Sequence, residues 1–336
     1  MTTVFDPEGD VLSGDTADVY FARTQLIMRN EDLNPVVTME VFATGSGVLC
    51  GMTEVLALLA RVLAEEGEVW ALDEGGEMSA KEVVLRITAP YRSFVIYETA
   101  ILGILAQQSG WATAAWACVE AAQGIPIISF GARHVHPRVA GRLEYAAMVG
   151  GFAGCATPAG ARMGGVTPSG TIPHALILIM GDTVEAIKAF DRHVSGEVNR
   201  IALVDTFKDE AEESLRVAET LGEKLWGVRL DTPAERGRVT PDLVKEVRAR
   251  LDQAGHERVR IVVSGGIDAE RIGLFVERGA PVDAFGVGSA VSSAPPIDFT
   301  ADIKAIEGKP VAKRGRIPGI TSNPRLRKVD LSEARS

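Results

Sequence analysis

Cysteine is scarce in this chain. The three in 336 residues, Cys50, Cys118 and Cys155, are odd in number, lack Cys-x-x-Cys spacing and sit in apolar surroundings. Neither a disulfide framework nor a zinc site is indicated, and a reducing cytoplasm fits. No apolar run approaches the roughly 18 residues that suggest a membrane span, and Met1 to Asp10 is acidic with no apolar core. The expectation is a soluble, unexported, cytoplasmic protein. Basic charge is also short: 35 Lys and Arg against 45 Asp and Glu leave a formal net charge of -10. That balance argues against a nucleic-acid binder relying on an extended basic surface. The basic groups are few and local, as in a small-anion site. Internal repeats and low-complexity segments are absent.

What is present is ordinary globular material, 46% hydrophobic and 24% charged, enough for one large α/β domain and a smaller one. Charge is uneven. Residues 1–82 hold 16 acidic against 4 basic side chains, and residues 301–336 hold 9 basic against 4 acidic. The basic tail is expected to fold back on the first domain. Between Pro35 and Thr44 the β-branched run reads as a strand. After the Gly45-Ser46-Gly47 turn, Thr53 to Glu65 reads as a capped amphipathic helix. Val69 to Leu72 and Val83 to Thr88 read as further strands, and Ser93 to Gln108 and Trp111 to Gln123 as two helices.

After about residue 124, short apolar runs alternate with charged amphipathic stretches, the signature of a parallel sheet with crossover helices. The runs are Pro126 to Phe130, Gly150 to Cys155, Ile201 to Val204, Leu225 to Leu230, Val259 to Val263 and Val282 to Val287. A barrel and a doubly wound sheet fit them equally. In either, chemistry collects at the carboxyl ends of the strands, and those ends are polar, small or charged. Ile125 to Ile128 run into Ser129-Phe130-Gly131-Ala132-Arg133-His134. Val204 leads to Asp205-Thr206, Val228 to Arg229 and Asp231, Val263 to Ser264-Gly265-Gly266, and Val287 to Gly288-Ser289.

Two glycine-rich ends in successive βα turns suit a phosphate held by backbone N–H groups. Phe130 offers a face to a flat ring, and Arg133 the forked donors that match phosphate or carboxylate. Arg229 and Asp231, two apart on a strand, point the same way. They either pair with each other or meet an anionic group and sugar hydroxyls. Asp205 acts likewise or holds a hydrated magnesium ion. His174, after the Gly170-Thr171 turn and Pro173, stands at the first turn of a helix, as a cap or as a catalyst.

Together these motifs resemble nicotinate phosphoribosyltransferase, especially the compact archaeal and bacterial branch of that family, over nearly the whole chain. The resemblance includes Asp18-Val19-Tyr20-Phe21, Tyr97 to Gly103, Ser129-Phe130-Gly131 with Arg133 and His136-Pro137, and Gly170-Thr171 with Pro173-His174-Ala175. It continues through Asp205-Thr206, Arg229 to Thr232, Ser264-Gly265-Gly266 and Phe285 to Gly288. Each string is common; their order is specific.

The resemblance implies an irregular α/β barrel of about six strands with a smaller N-terminal α+β domain. The expected division is 1–118 mixed domain, 119–294 phosphoribosyl-binding barrel and 295–336 basic tail. It further implies a homodimer or higher homo-oligomer with sites at the subunit interface, Phe130 and the partner's Tyr20 sandwiching a pyridine ring. Arg229 would meet the nicotinate carboxylate or the nearby ring face, Arg133 and His134 the diphosphate, and Asp205 and Asp231 ribose hydroxyls or Mg2+. Thr171 joins the substrate-binding set. Ser264, Gly265, Gly266, Gly286 and Gly288 would cradle the 5-phosphate, and His174 would be phosphorylated from ATP. The implied reaction makes nicotinate mononucleotide from nicotinate and phosphoribosyl diphosphate with ATP hydrolysis, in NAD salvage; quinolinate or nicotinamide is the alternative base. Departures from the family pattern are His134 where many members repeat Arg, and Thr232-Pro233-Ala234 after Asp231. No Cys follows residue 155, so no structural zinc is expected.

Overall fold

The computed structural model describes residues 5–63 and 67–332. Five strands form early in the chain: β1 (Val36–Ala43), β2 (Gly47–Val48), β3 (Glu68–Ala71), β4 (Glu77–Met78) and β5 (Val83–Pro90). Six follow: β6 (Ile127–Ser129), β7 (Gly154–Cys155), β8 (Arg200–Leu203), β9 (Leu225–Leu230), β10 (Arg260–Val263) and β11 (Ala284–Val287). The last three are β12 (Phe299–Ile306), β13 (Lys309–Pro310) and β14 (Arg327–Val329). The chain divides into two compact units, residues 1–113 with 294–336, and residues 114–293.

The first unit is a six-stranded antiparallel sheet ordered β13-β12-β1-β5-β3-β14, beside the pair β2-β4. Its core is the apolar stripe of the helix Met52–Val62 with the buried side of β1 and β5, including Val55, Leu58, Leu59, Val41, Leu85 and Ile87. Burying each such side chain contributes about 1.5–3 kcal/mol. The helix start differs from expectation. Gly51, at φ 95°, occupies the cap position without a capping side chain, and Glu74 accepts from the Gly51 and Thr53 amides at 2.8 Å each. A carboxylate from a later loop thus satisfies amides that a local Ser or Thr would have taken. The expected end at Glu65 lies outside the described residues.

The basic tail belongs to this unit. β12 pairs with β1 and β14 with β3, while Arg325 meets Glu82 at 2.7 Å and Lys328 meets Glu68 at 3.2 Å. Where two helices were expected after residue 93, one helix of 25 residues runs from Glu98 to Ala122. Gly110 does not break it. A Cβ there would lie 2.3 Å from the Pro295 carbonyl oxygen, so glycine serves close approach at that point.

The second unit holds a parallel sheet of six strands in the order β7-β6-β11-β10-β9-β8. Its strands are buried along nearly their whole length, as continuous apolar runs require when helices cover a parallel sheet. The edge strands β7 and β8 are not hydrogen-bonded to each other among the described residues, so the six strands of the expected irregular α/β barrel form an open half-barrel sheet. Only Gly154 and Cys155 of the run from Gly150 pair as strand, because Gly150 and Gly151 complete the turn leaving the preceding helix. Register brings the carboxyl ends level. Val287 pairs with Ser129, Val263 with Leu230 and Leu203 with Arg229, so the residues just beyond them emerge along one edge.

Candidate active site

Phe130 is the first residue past β6, held by its amide donating to the Val287 carbonyl at 2.7 Å. Its ring lies over the neighbouring strand, where a Cβ on Gly286 would come within 2.3 Å of the ring edge. The Arg229 guanidinium stands 5.8 Å from the ring centroid, within cation–π range. The Arg229 side chain is 14% exposed, and its nearest carboxylate, Asp231, is 3.9 Å away. Its Nε–H has no partner. Burial weakens its hold on the proton, with the Arg133 charge acting in the same direction against the pull of Asp231 and Asp205. It remains a cation, since guanidinium is not deprotonated in proteins.

Behind this pair lie two carboxylates of opposite character. The Asp205 side chain is fully buried, and neither of its oxygens accepts a hydrogen bond. Burial pushes its pKa up to about 6, against the His174 charge, which lowers it. Burial would raise Asp231 too, but His174, Arg229 and Ser264 together hold it below the usual carboxylate range. The Ser264 hydroxyl donates to Asp231 Oδ1 at 2.9 Å.

His174 opens the helix His174–Met180 and faces both acids, its Nε2 lying 3.6 Å from Asp205 Oδ2 and 3.7 Å from Asp231 Oδ2. Its Nδ1 is 2.9 Å from the Thr206 hydroxyl, which fixes the ring orientation. Contact with Asp231 raises the imidazole above its ordinary value, burial opposes this, and Asp205 adds to the rise. One imidazole between a carboxyl of raised pKa and one of lowered pKa is a proton-holding arrangement.

The glycine ends are shaped by what presses on them. Gly265 and Gly266 have φ of 87° and 64°, which side chains rarely adopt. A Cβ on Gly265 would sit 2.9 Å from Asp231 Oδ1, and one on Gly288 would meet His134 Cε1 at 2.9 Å and the Phe130 carbonyl at 3.1 Å. Gly286 therefore makes room for the Phe130 ring, a requirement that the phosphate expectation alone did not contain. Arg271 donates to the Gly265 and Gly266 carbonyls at 3.0 Å each and to Val239 at 2.6 Å, tying two loops together.

The parallel-sheet unit thus brings together Phe130, His174, Asp205, Arg229, Asp231, Ser264, Gly265 and Gly286. Arg133 and His134 occupy the short turn after Gly131 and are exposed. Thr171 spends its hydroxyl on the Ile172 carbonyl at 3.3 Å. Tyr20 lies in the other unit, on the helix Val19–Asn30, exposed, with its hydroxyl donating to Asp18 at 3.2 Å. Sequence reasoning did not assign roles to Thr206, Arg271 and Arg238. Adjacency to Asp205 signals Thr206, whereas the two arginines are separated from the site in sequence and carry no motif. Among the described residues no group of three or more His, Cys, Asp or Glu is arranged to hold a metal ion, and no helix is long and apolar enough to cross a membrane.

An arginine-backed aromatic ring, a His–Asp–Asp cluster and glycine turns lie together along one edge of the parallel sheet. The chain belongs to the quinolinate phosphoribosyl transferase family, whose N-terminal domain model matches residues 18–109 and whose C-terminal domain model matches residues 111–302. The crystal structure of nicotinate-nucleotide pyrophosphorylase from Pyrococcus furiosus is 43% identical, with a TM-score of 0.87 over 98% of this chain and 86% of that one. Nicotinate phosphoribosyltransferase pncB2 of Mycobacterium tuberculosis is 32% identical over 248 residues, 72% of this chain and 52% of the relative. The human nicotinate-nucleotide pyrophosphorylase [carboxylating] is 27% identical over 280 residues, 81% of this chain and 84% of the relative. The chain thus spans about half the length of the mycobacterial relative.

Proposed function

We propose that this protein transfers a phosphoribosyl group from phosphoribosyl diphosphate to a pyridine carboxylate, yielding nicotinate mononucleotide for NAD synthesis. The observation that carries the reading is Arg229, held against the Phe130 ring with an unpartnered Nε–H and its nearest acid at 3.9 Å. A planar carboxylated ring stacked on Phe130 supplies the missing acceptor. Asp205 and Asp231 face the sugar. Loss of diphosphate leaves oxocarbenium character at the ribose C1, and ionised carboxyls beside it stabilise that charge while the pyridine nitrogen attacks. No covalent nucleophile is needed. The orphaned oxygens of Asp205 fit ribose hydroxyls or a Mg2+ ion carried mainly on the diphosphate. Tyr20 of a second subunit closing over the ring, and a cytoplasmic location, are part of the same proposal.

Quinolinate is the first reading of the base. The family models support it. Arg133 adds a second cation, itself exposed, whose charge reaches the buried Arg229, which suits a ring bearing two carboxylates, one of them lost as carbon dioxide. Nicotinate is the second reading, favoured by the mycobacterial relative. There His174 would take a phosphoryl group from ATP on Nε2, the nitrogen turned to the acids. A product assay with quinolinate, nicotinate and nicotinamide, each with and without ATP, tests both. Nicotinate mononucleotide with ATP-independent release of carbon dioxide supports the first. ATP-stimulated product from nicotinate, with an acid-labile phosphoenzyme lost in His174→Ala, supports the second. No nucleotide from any base refutes the proposal.

A further inference from the structure

The loop after β9 ends in a backbone conformation that its sequence does not favour. Arg238 has φ 63°, in the left-handed region, directly after Gly237 at 89°. A side chain held there is strained by about 1 kcal/mol or more, and such strain persists only where the surroundings impose it. The Arg238 amide donates to the Pro233 carbonyl at 3.1 Å, closing the loop on itself. The strain sets the guanidinium beside the glycine turn of the next strand, where a Cβ on Gly266 would lie 2.0 Å from Arg238 Nη1.

Arg238 has no carboxylate or carbonyl partner among the described residues. Its charge instead lowers the pKa of Arg271, which burial already depresses. Two like charges are therefore kept together at a glycine turn; Arg271 is consumed by the carbonyls of Gly265, Gly266 and Val239, and Arg238 is exposed. The turn also touches the sugar side of the site, through Gly265 against Asp231. Five donors in a fixed fork match phosphate oxygens, and a charge-assisted bond of that kind is among the stronger ones available.

We propose that Arg238 grips the terminal phosphate of the sugar phosphate, at the far side of Asp231 from the pyridine ring. The inference rests on the phosphoribosyl-transfer reading and adds to it a residue that no motif marks. Two variants separate binding from backbone strain. Arg238→Lys keeps a charge without the fork; Arg238→Gly relieves the left-handed strain and removes the charge. Ribose 5-phosphate, which lacks diphosphate, is the probe, measured by calorimetry alongside thermal unfolding.

The expected result is that Arg238→Gly unfolds at a temperature equal to or above the parent's yet binds ribose 5-phosphate at least about tenfold more weakly, with Arg238→Lys intermediate. Inhibition by inorganic diphosphate stays within about twofold, since that group occupies the other end of the sugar. If the parent protein binds ribose 5-phosphate and Arg238→Gly binds it equally well, Arg238 is a turn residue only and the inference fails while the transfer reading stands. If the parent binds neither ribose 5-phosphate nor phosphoribosyl diphosphate, the transfer reading fails and takes this inference with it.

Discussion

Adding a single methyl at Gly286 tests whether the aromatic platform is built as described. Gly286 lies in β11, between β6 and β10, and is paired opposite Ile128 of β6. A Cβ there would stand 2.3 and 2.5 Å from two carbons of the Phe130 ring and 3.1 Å from Ser264 Cβ. Carbon atoms pack at about 3.5–4.0 Å, so an overlap of more than an ångström with the ring must be relieved. Overpacking of this size costs about 1–3 kcal/mol. Displacing the ring from Arg229 forfeits a further cation–π contribution of about 0.5–2 kcal/mol. Gly286→Ala should therefore lose about 1.5–5 kcal/mol in urea unfolding. It should raise KM for the pyridine substrate about tenfold, and leave KM for phosphoribosyl diphosphate within a few-fold. In a Phe130→Ala background the ring clash is absent and only the 3.1 Å approach to Ser264 Cβ remains, so the same substitution should cost less than about 1 kcal/mol. An undiminished cost in that background, or a KM effect confined to phosphoribosyl diphosphate, would refute the account of Gly286.

Other expectations follow from the charged cluster. Because Asp205 is pushed to about 6 when folded, above the usual carboxylate value near 4, the folded state binds the proton more tightly than the unfolded chain. Stability should fall as pH rises from about 4 to about 6, by roughly 3 kcal/mol for that group alone. Asp205→Asn should flatten that slope, and an unchanged slope counts against the burial argument. His174, raised in the fold by Asp231 and Asp205, should titrate above 6.5 by NMR, its stabilisation present below 6.5 and lost through the folded pKa. Asp231→Asn should bring its midpoint down, whereas an unmoved midpoint would dissociate the pair. Arg229→Met removes a buried cation with an unpartnered Nε–H. Stability should stay within about 1 kcal/mol or rise while kcat/KM falls at least about a hundredfold, and large destabilisation would mean that Arg229 is structural.

Much of the site was legible because parallel sheets impose a rule that sequence can express. Each apolar run ends where its strand ends, so Phe130, Asp205, Arg229, Asp231 and Ser264 could be read as neighbours before any coordinate was known. His174 was legible as a candidate from the Gly-Thr-Ile-Pro-His string, though whether as cap or catalyst depended on what faced it. Sequence periodicity suggests two helices where a single one, Glu98–Ala122, forms. Gly110 resembles a break in one dimension and serves close approach to Pro295 in three.

The sequence by itself determined the alternation of strand and helix, the identity of the strand-end residues and the membership in a family, because these depend on local periodicity and on the order of short strings. The tertiary structure alone decided that the sheet stays open between β7 and β8 and that the two acids beside His174 differ in character. It also decided that Gly286 exists for the Phe130 ring and that Arg238 leans over Gly266. Each of those depends on burial or on the approach of atoms distant in the chain. No window of sequence contains either quantity.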